Sequence, residues 1–128
     1  DFSADTIASH DNLILGTSTW GAGELQDDWY DGINVLKNAD LSGKTVAIFG
    51  CGDSESYSDT FCGAMKEIYD AAQGAKIIGS VPTEGYTFDD SDAVVDGEFI
   101  GLALDDVNED DLTEGRIDAW LSSIKGSL

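Results

Sequence analysis

The stretch from Val46 to Phe61, which reads VAIFGCGDSESYSDTF, decides the fold of this chain. It opens with an apolar run that is typical of a buried strand. Gly50 and Gly52 then interrupt the strand, and they predict a tight turn because a glycine backbone adopts conformations closed to other residues. The polar loop that follows carries one large aromatic residue, Tyr57, and leads into a helical pattern. This order is typical of the ligand-binding edge of an open α/β sheet.

A second loop of the same kind lies earlier in the chain. The apolar run at residues 12–16 predicts a buried parallel strand, and the hydroxyl- and glycine-rich loop after it contains Trp20. Right-handed crossovers place both loops beyond the carboxyl ends of their strands, at one edge of the sheet. Trp20 and Tyr57 are therefore expected on one rim, where they could flank a planar group. Ordinary core or rim packing is the alternative for both side chains.

Three further apolar runs, at residues 45–49, 75–81 and 99–104, predict the other strands. A long excursion over residues 83–98 separates the last two, and within it the pair Asp96-Gly97 is typical of a hairpin turn. The excursion is either a structural insertion or a surface on which a partner docks. The sequence does not decide between these two roles.

Apolar residues at helical spacing alternate with the strands. The positions that define the first predicted helix, with Asp27 or Asp28 as its cap, are Trp29, Ile33 and Leu36. A second helix is predicted to start from an N-cap at Ser58 and to end at Gly74. An acidic loop over residues 105–111 precedes a closing helix that ends at Ile124. This alternation predicts an α/β fold with a mostly parallel sheet.

The charge of the chain excludes some partners and favours others. Its 128 residues suit one domain, and its formal net charge is −20. Such a charge argues against nucleic acid, whose phosphates need cations, and fits a protein steered toward basic partners. A salt-adapted or merely soluble surface is the alternative. No apolar run approaches the roughly 18 residues of a membrane span, so no membrane contact is predicted.

The residues that commonly carry catalysis or bind metals are scarce. Cys51 and Cys62 form neither a disulfide framework nor a zinc pattern, which favours two reduced thiols in a cytoplasmic protein. His10 is the only histidine, so no triad or metal site can be assembled around it. An unrelated hydrolase is disfavoured because the chain lacks such a histidine and a serine elbow. We predict no catalytic residue and no metal site.

Several motifs, in order and together, make this chain resemble the long-chain flavodoxins. The run TSTW at 17–20, followed by GEL at 23–25 and DW at 28–29, is similar to the first flavin loop of that family. GD at 52–53, with Tyr57 and Phe61, is similar to the second flavin loop. The run DGEFIGLALD at 96–105 is similar to the end of the family's long insertion, and residues 111–120 resemble its closing helix. The resemblance implies a flavodoxin-like open parallel sheet with helices on both faces and a last strand split by the insertion.

By this resemblance the chain carries one non-covalently bound FMN and acts as a low-potential one-electron carrier between redox enzymes, without substrate turnover of its own. Trp20 is expected against the inner, methyl-bearing part of the ring, and Tyr57 is expected to stack on its outer face. The FMN-binding residues that the resemblance implies are Thr17, Ser18, Thr19, Trp20, Gly21, Ala22, Gly23, Cys51, Gly52, Asp53, Tyr57 and Thr60.

The resemblance assigns these residues to different parts of FMN. Residues 17–19 would line the ribityl and phosphate region, with Thr60 near the phosphate side. Backbone groups of residues 51–53 would meet the pyrimidine edge. Gly21 aligns with the residue whose carbonyl turns toward N5 of the one-electron-reduced ring. The implied partners are basic redox proteins, of the NADPH-dependent flavodoxin reductase type or low-potential oxidoreductases.

The family begins with a strand, a phosphate loop, a helix and a second strand, and the resemblance finds none of these here. We therefore expect residues 1–128 to be a single flavodoxin-like domain that lacks its N-terminal β-α-β portion. The chain would be a fragment, the later part of a longer chain, or a chain completed by a separate segment; we favour the first two. The strand at 12–16 would otherwise have an open edge, and the protein is expected to be a monomer if the sheet is completed. The alternative function is a flavodoxin-derived interaction module that binds no flavin.

Overall fold

The computed structural model describes residues 7, 9–20, 24–25, 28–55, 61–84, 86, 88 and 90–127, with the side chains of 18–20, 24–25, 28, 30 and 106–107 outside the description. The strands are β1 (Asn12–Trp20), β2 (Glu24–Leu25), β3 (Thr45–Cys51), β4 (Lys76–Ile78), β5 (Val81–Pro82), β6 (Val94–Val95), β7 (Glu98–Phe99) and β8 (Leu102–Leu104). The helices are α1 (Asp28–Asn38), α2 (Ala64–Ala71) and α3 (Asp106–Ile124), followed by a 3₁₀ turn at Lys125–Ser127.

Strand β3 lies at the centre of the main sheet. On one side it pairs in parallel with β1, from Thr45 opposite Asn12 to Cys51 opposite Ser18. On its other side, residues 45–47 pair with β4 and residues 49–51 pair with β8, both in parallel. Strands β4 and β8 are therefore two halves of one split strand. The predicted open parallel sheet with a split last strand is confirmed.

Both faces of the sheet are covered by helices, as predicted. Val46 and Ile48 of β3 belong to the core that α1 and α2 cover. Ala47, between them on the opposite face, packs with Trp120 and Ile124 of α3. Successive side chains of a strand point to opposite faces, so the continuous apolar run of β3 serves both cores.

The split strand is broken at two glycines, so the predicted strands 75–81 and 99–104 are each divided. Gly79 has φ +89°, which favours glycine, and its carbonyl accepts a 2.8 Å hydrogen bond from Nε1 of Trp120. At Gly101, a Cβ atom would lie 2.1 Å from the carbonyl oxygen of Ile48. Between the two breaks, β5, β7 and β6 form a separate antiparallel sheet.

The insertion between the two breaks packs against Phe61, in the turn that precedes α2. Its hairpin turn at Asp96 and Gly97 has φ +55° and +85°, as predicted for this pair. The ring of Phe61 lies 5.6 Å from that of Phe88 and 5.9 Å from that of Phe99, measured between centroids. These contacts give the insertion a structural role, and docking of a partner on it stays a prediction.

The second helix begins later than predicted. Its first residue is Ala64 and its N-cap is Gly63. The predicted cap, Ser58, lies outside the described residues. The physical reason for the later start is Cys62, whose φ of +53° is left-handed and separates the preceding turn from the helix. The helix ends at Ala71 rather than at Gly74, because the chain leaves helical geometry at the C-cap, Ala72.

The closing helix begins earlier than predicted. The expected acidic loop at 105–111 is largely helical, since α3 starts at Asp106. Its first turn is separated from the rest by Glu109, with φ −131° and ψ 42°. Backbone N–H groups of Asn108 and Glu109 both donate to the carbonyl oxygen of Asp105, which closes this first turn. None of the helices in the described part of the chain is long and apolar enough to cross a membrane.

We predict that Gly101→Ala lowers the free energy of unfolding by at least about 2 kcal/mol, because its methyl group would overlap the Ile48 carbonyl. Urea unfolding of the variant and the parent chain measures this change. Gly115→Ala is the matched control: this site in α3 has nothing within 4 Å of the added Cβ. The control should be neutral or stabilised by up to about 1 kcal/mol. Equal stabilities of the two variants would contradict the close approach at Gly101.

Candidate functional site

The carboxyl ends of three strands meet at one edge of the main sheet. Ser18 of β1 lies opposite Cys51 of β3, and Cys51 lies opposite Leu104 of β8. The segments that follow these strands therefore leave the sheet at the same edge. This confirms the prediction that the loops after the strands at 12–16 and 45–49 share an edge, although β1 continues to Trp20 rather than ending at Gly16.

The structure brings four of the predicted site residues together at this edge. Thr17 is buried in β1 with 5% of its surface exposed, and Cys51 ends β3 half-buried. Gly52 and Asp53 follow directly and are also half-buried. A Cβ atom on Gly52 would lie 2.8 Å from the backbone nitrogen of Cys62, so the chain passes close to its neighbour there.

The other predicted site residues are only partly described or lie outside the description. The backbones of Ser18, Thr19 and Trp20 are in β1, but their side chains are not described. The residues outside the description are Gly21, Ala22, Gly23, Tyr57 and Thr60. The assignment of these side chains to a ligand therefore stays a prediction.

An indole fixes the middle of β1 to helix α1. Nε1 of Trp29 donates a 2.9 Å hydrogen bond to the carbonyl oxygen of Gly16, just before Thr17. The ring also packs against the core, beside the buried Ile33 and Leu36. The predicted apolar stripe of this helix is confirmed, and one of its members positions the strand that leads into the site.

A hydrogen-bonded network of polar residues, which the sequence reasoning missed, holds the chain after β3. The backbone N–H of Ser54 donates to Oδ1 of Asp105 over 3.2 Å, and the Ser54 hydroxyl donates to Oδ2 of the same carboxylate. Nδ2 of Asn108 donates to Oδ1 of Asp53 over 2.9 Å and to Oδ1 of Asp105 over 2.8 Å. We call these four residues the carboxylate clamp.

The sequence did carry a signal for the clamp. Asp105 follows the apolar end of β8 as Gly52 follows the end of β3, so both lie at the carboxyl edge of the sheet. The composition of residues 105–111 instead predicts an acidic loop. Only the register of β8 on β3 shows that Asp105 is buried, with 1% of its surface exposed.

A protein-family model described as Flavodoxin matches residues 1–120 of the chain. The chain belongs to the flavodoxin family. Flavodoxin 1 of Azotobacter vinelandii is 45% identical over 125 residues, which cover 94% of this chain and 72% of that protein. Flavodoxin of Helicobacter pylori is 42% identical over 126 residues, covering 98% and 77%. The resemblance drawn from the motifs is confirmed at the level of the family.

A solved structure of the same family supports the fold. The Fusobacterium nucleatum flavodoxin bound to flavin mononucleotide superposes on this chain with a TM-score of 0.92 at 35% identity. The superposition covers 97% of this chain and 75% of that one. The agreement in backbone over nearly the whole chain confirms the flavodoxin-like fold.

The two cysteines of this flavodoxin-family chain differ in their surroundings. Cys62 is fully buried, and its Sγ lies 3.8 Å from the carbonyl oxygen of Gly50 and 3.7 Å from that of Leu104, as a donor to both. Burial raises the pKa of the Cys62 thiol far above its usual range, because a thiolate is poorly solvated in an apolar interior. Cys51 is half-buried at the end of β3.

A cavity lies away from the carboxyl edge, on the side of the sheet that α3 covers. It has a volume of about 480 Å³ and is lined by residues of the insertion and of α3, among them Tyr86 and Trp120. The guanidinium of Arg116 lies 4.0 Å from the centre of the Tyr86 ring and pairs with Glu109 at 3.1 Å. This arginine therefore links α3 to the insertion, and the cavity touches the sheet at Leu102, the amino end of β8.

We predict that Cys62 of the folded chain resists a thiol reagent at mildly alkaline pH, because the raised pKa keeps the buried thiol protonated and the thiolate is the reactive form. Its labelling rate should be at least about a hundredfold slower than in urea, since reaction requires opening of the core. Labelling followed by mass spectrometry measures the rate in Cys51→Ser, where Cys62 is the only thiol. Cys62→Ser is the control that reports Cys51, and equal rates for Cys62 in buffer and in urea would contradict its burial.

Proposed function

We propose that this flavodoxin-family chain binds one FMN non-covalently at the edge where β1, β3 and β8 end, and that it carries single electrons at low potential between redox enzymes. The observation that carries the proposal is the match of the family model to residues 1–120, beside a TM-score of 0.92 with a flavodoxin bound to flavin mononucleotide. FMN, when bound, supplies the redox chemistry by accepting and releasing one electron at a time.

The described residues fit the ring end of this cofactor. Ligands of open α/β sheets bind beyond the carboxyl ends of the strands, and the backbone of residues 51–53 lies at that end of β3. Gly52 brings the backbone close to its neighbours, because a side chain there would meet Cys62. Peptide groups so placed are suited to hydrogen-bond the polar pyrimidine edge of a flavin.

We propose that the aromatic residues of the two loops cover the faces of the ring, Trp20 on the inner side and Tyr57 on the outer side. Offset stacking on each face adds about 0.5–1.5 kcal/mol beyond the burial of area. The hydroxyl-bearing residues 17–19 and Thr60 are proposed for the ribityl and phosphate region. Gly21, Ala22 and Gly23 complete the proposed binding set.

We propose that the negative charge of the chain lowers the potential at which a bound flavin accepts its second electron. The formal net charge is −20, and Asp53 and Asp105 lie at the proposed site. A field of this sign disfavours further negative charge on a reduced ring, more strongly where water is excluded. The second electron is therefore expected to enter only at low potential. The chain needs no acid, base or nucleophile for this function, and we propose that it has no substrate turnover of its own.

The proposed partners are basic redox proteins in the cytoplasm, of the NADPH-dependent flavodoxin reductase type or low-potential oxidoreductases. Opposite net charge accelerates the encounter of two proteins and orients it. The same acidic surface opposes binding to nucleic acid.

The free edge of β1 supports the expectation that the sheet continues. Among the described residues, β2 pairs only with Thr19 and Trp20, and β3 occupies the other side of β1. Ile14 is 45% exposed on this strand and lines a wholly apolar groove with Phe49 and Leu121. We propose that a further strand, from a longer chain or a separate segment, pairs with β1 and makes the protein a monomer.

The alternative function is an interaction module that binds no flavin. The family match and the FMN-bound relative do not favour it. Flavin binding by this chain distinguishes the two functions directly.

We predict tight one-to-one quenching of FMN fluorescence on titration with the chain. Trp20→Ala and Tyr57→Ala should each raise the Kd by about ten- to a hundredfold, because each removes one stacking surface and its buried area. Trp120→Phe is the control, since Trp120 packs on the opposite side of the sheet from α1 and α2 and bonds Gly79. Its Kd should stay within about twofold. Absence of quenching by the parent chain would overturn the proposed function for this chain.

We predict that the rate of electron transfer to a basic redox protein falls about tenfold between low and near-physiological ionic strength, because salt screens the attraction between the two proteins. Stopped-flow kinetics measure the rate, and a small neutral oxidant is the control whose rate should not change. Glu55→Gln at the carboxyl edge should slow association more than Asp11→Asn, an exposed acid at the amino end of β1. A rate that does not depend on salt would contradict a role of charge in the docking of the partner.

A further inference from the structure

A buried carboxylate joins two segments that lie far apart in the sequence. Asp105 is 1% exposed, directly after β8, and both of its oxygens accept hydrogen bonds from Ser54, 51 residues earlier. The backbone N–H of Gly52 donates to the carbonyl oxygen of Leu104 over 2.9 Å, which extends the pairing of β3 with β8 by one bond. Three hydrogen bonds therefore hold residues 52–54 against the end of β8.

The side-chain amide of Asn108, which belongs to the carboxylate clamp, donates hydrogen bonds to two acidic side chains. Nδ2 of Asn108 lies 2.8 Å from Oδ1 of Asp105 and 2.9 Å from Oδ1 of Asp53. An amide nitrogen carries two protons, so it can donate one to each carboxylate. The bonds of Asn108 thus fix Asp53, whose backbone is in the proposed FMN site, relative to the first turn of α3.

The clamp is built at the cost of burying an acidic group. A carboxylate taken out of water is retained only where hydrogen bonds replace its hydration. Ser54 and Asn108 supply those bonds to Asp105, and their donors then have few other orientations open to them. The directional bonds of the clamp therefore restrict the backbone at residues 52–54.

We propose that Asp105 is a positioning residue for the flavin: through Ser54 and Asn108 it holds residues 52–54 in the conformation that meets the pyrimidine edge of FMN. The proposal rests on the proposed function, because the ligand at this edge is the one proposed there. Asp105 acts through the loop and is not assigned a contact with the cofactor.

Positioning and simple electrostatics predict opposite effects of removing the charge. Asp105→Asn takes one negative charge away from the site of an anionic cofactor, which by itself would tighten FMN binding. The same change leaves only one carbonyl oxygen to accept the bonds of Ser54 and Asn108, so the loop samples other conformations. If the competent conformation falls to about a tenth of the population, the apparent Kd rises about tenfold. Weaker binding therefore identifies positioning.

Asn108→Ala tests the same clamp without a change of charge. Asn108 is half-buried in the first turn of α3, so its replacement is expected to disturb the fold less than Asp105→Asn, which alters a fully buried group. It removes the amide that joins Asp53 to Asp105 and should also raise the Kd for FMN. Trp120→Phe is the matched control, because it loses one partly buried hydrogen bond, to Gly79, outside the clamp.

The experiment combines two measurements on the parent chain and the three variants. Amide hydrogen exchange without FMN reports how tightly residues 52–54 are held. FMN titration gives the Kd, and the potentials of the two one-electron steps report the surroundings of the bound ring. We expect faster exchange at Gly52 and Ser54, a Kd raised about tenfold and shifted potentials in Asp105→Asn and Asn108→Ala. In Trp120→Phe, the exchange at these two amides, the Kd and the potentials should equal those of the parent chain. This holds even if the variant loses as much free energy of unfolding as the clamp variants.

Each contrary outcome has a separate meaning. Unchanged exchange at Gly52 and Ser54 in both clamp variants would overturn the clamp itself. Faster exchange with an unchanged or lower Kd would show that the clamp holds a loop that does not position FMN, and would overturn the proposal. No FMN binding by the parent chain would overturn the proposed function and the flavin role together, while hydrogen exchange would still decide whether Asp105 holds the loop.

Discussion

Parallel hydrogen bonding on both sides of β3 is the constraint on which the rest of the structure depends. β1 pairs along one side of this strand and the two halves of the split strand pair along the other. Parallel neighbours need crossover connections, so helices must cover the sheet, and β3 must be apolar on both of its faces. Its register also sets the edge at which Ser18, Cys51 and Leu104 lie side by side. The position of the site is thus a consequence of strand pairing.

The division of the last strand links the insertion to the rest of the domain. The chain departs at Gly79 and returns at Gly101, where the backbone approaches Ile48 too closely for a side chain. The insertion does not project from the sheet as an independent arm. Its aromatic rings surround Phe61, and Ser91 donates its hydroxyl proton to the Phe61 carbonyl oxygen. Ser54 is therefore held by the carboxylate clamp, and Phe61 is held by the insertion.

The site lies in a strongly acidic chain in which polar atoms that are buried take part in hydrogen bonds. Every buried side-chain nitrogen and oxygen in the described part of the chain has a hydrogen-bond partner. Asp105 is stable in the interior because its oxygens are occupied, and Cys62 remains a neutral thiol because its raised pKa follows from burial. The carboxylates of Asp53 and Asp105 at this edge are therefore held in fixed positions. Such fixed charge is suited to disfavour electron accumulation on a bound ring.

The sequence by itself determined the parallel strands of the main sheet, the helices on both faces, the split strand and the family, because apolar periodicity and motif order are local properties. It also located Thr17, Cys51, Gly52 and Asp53 at one edge, since carboxyl ends of parallel strands coincide. It did not predict β2 or the antiparallel sheet of β5, β6 and β7. Only the tertiary structure decided where α2 and α3 begin and that Asp105 is buried. The left-handed backbone of Cys62 and the register of β8 on β3 depend on contacts between distant segments. No pattern within residues 105–111 reveals those contacts, because an acidic residue has the same local sequence whether it faces water or Ser54.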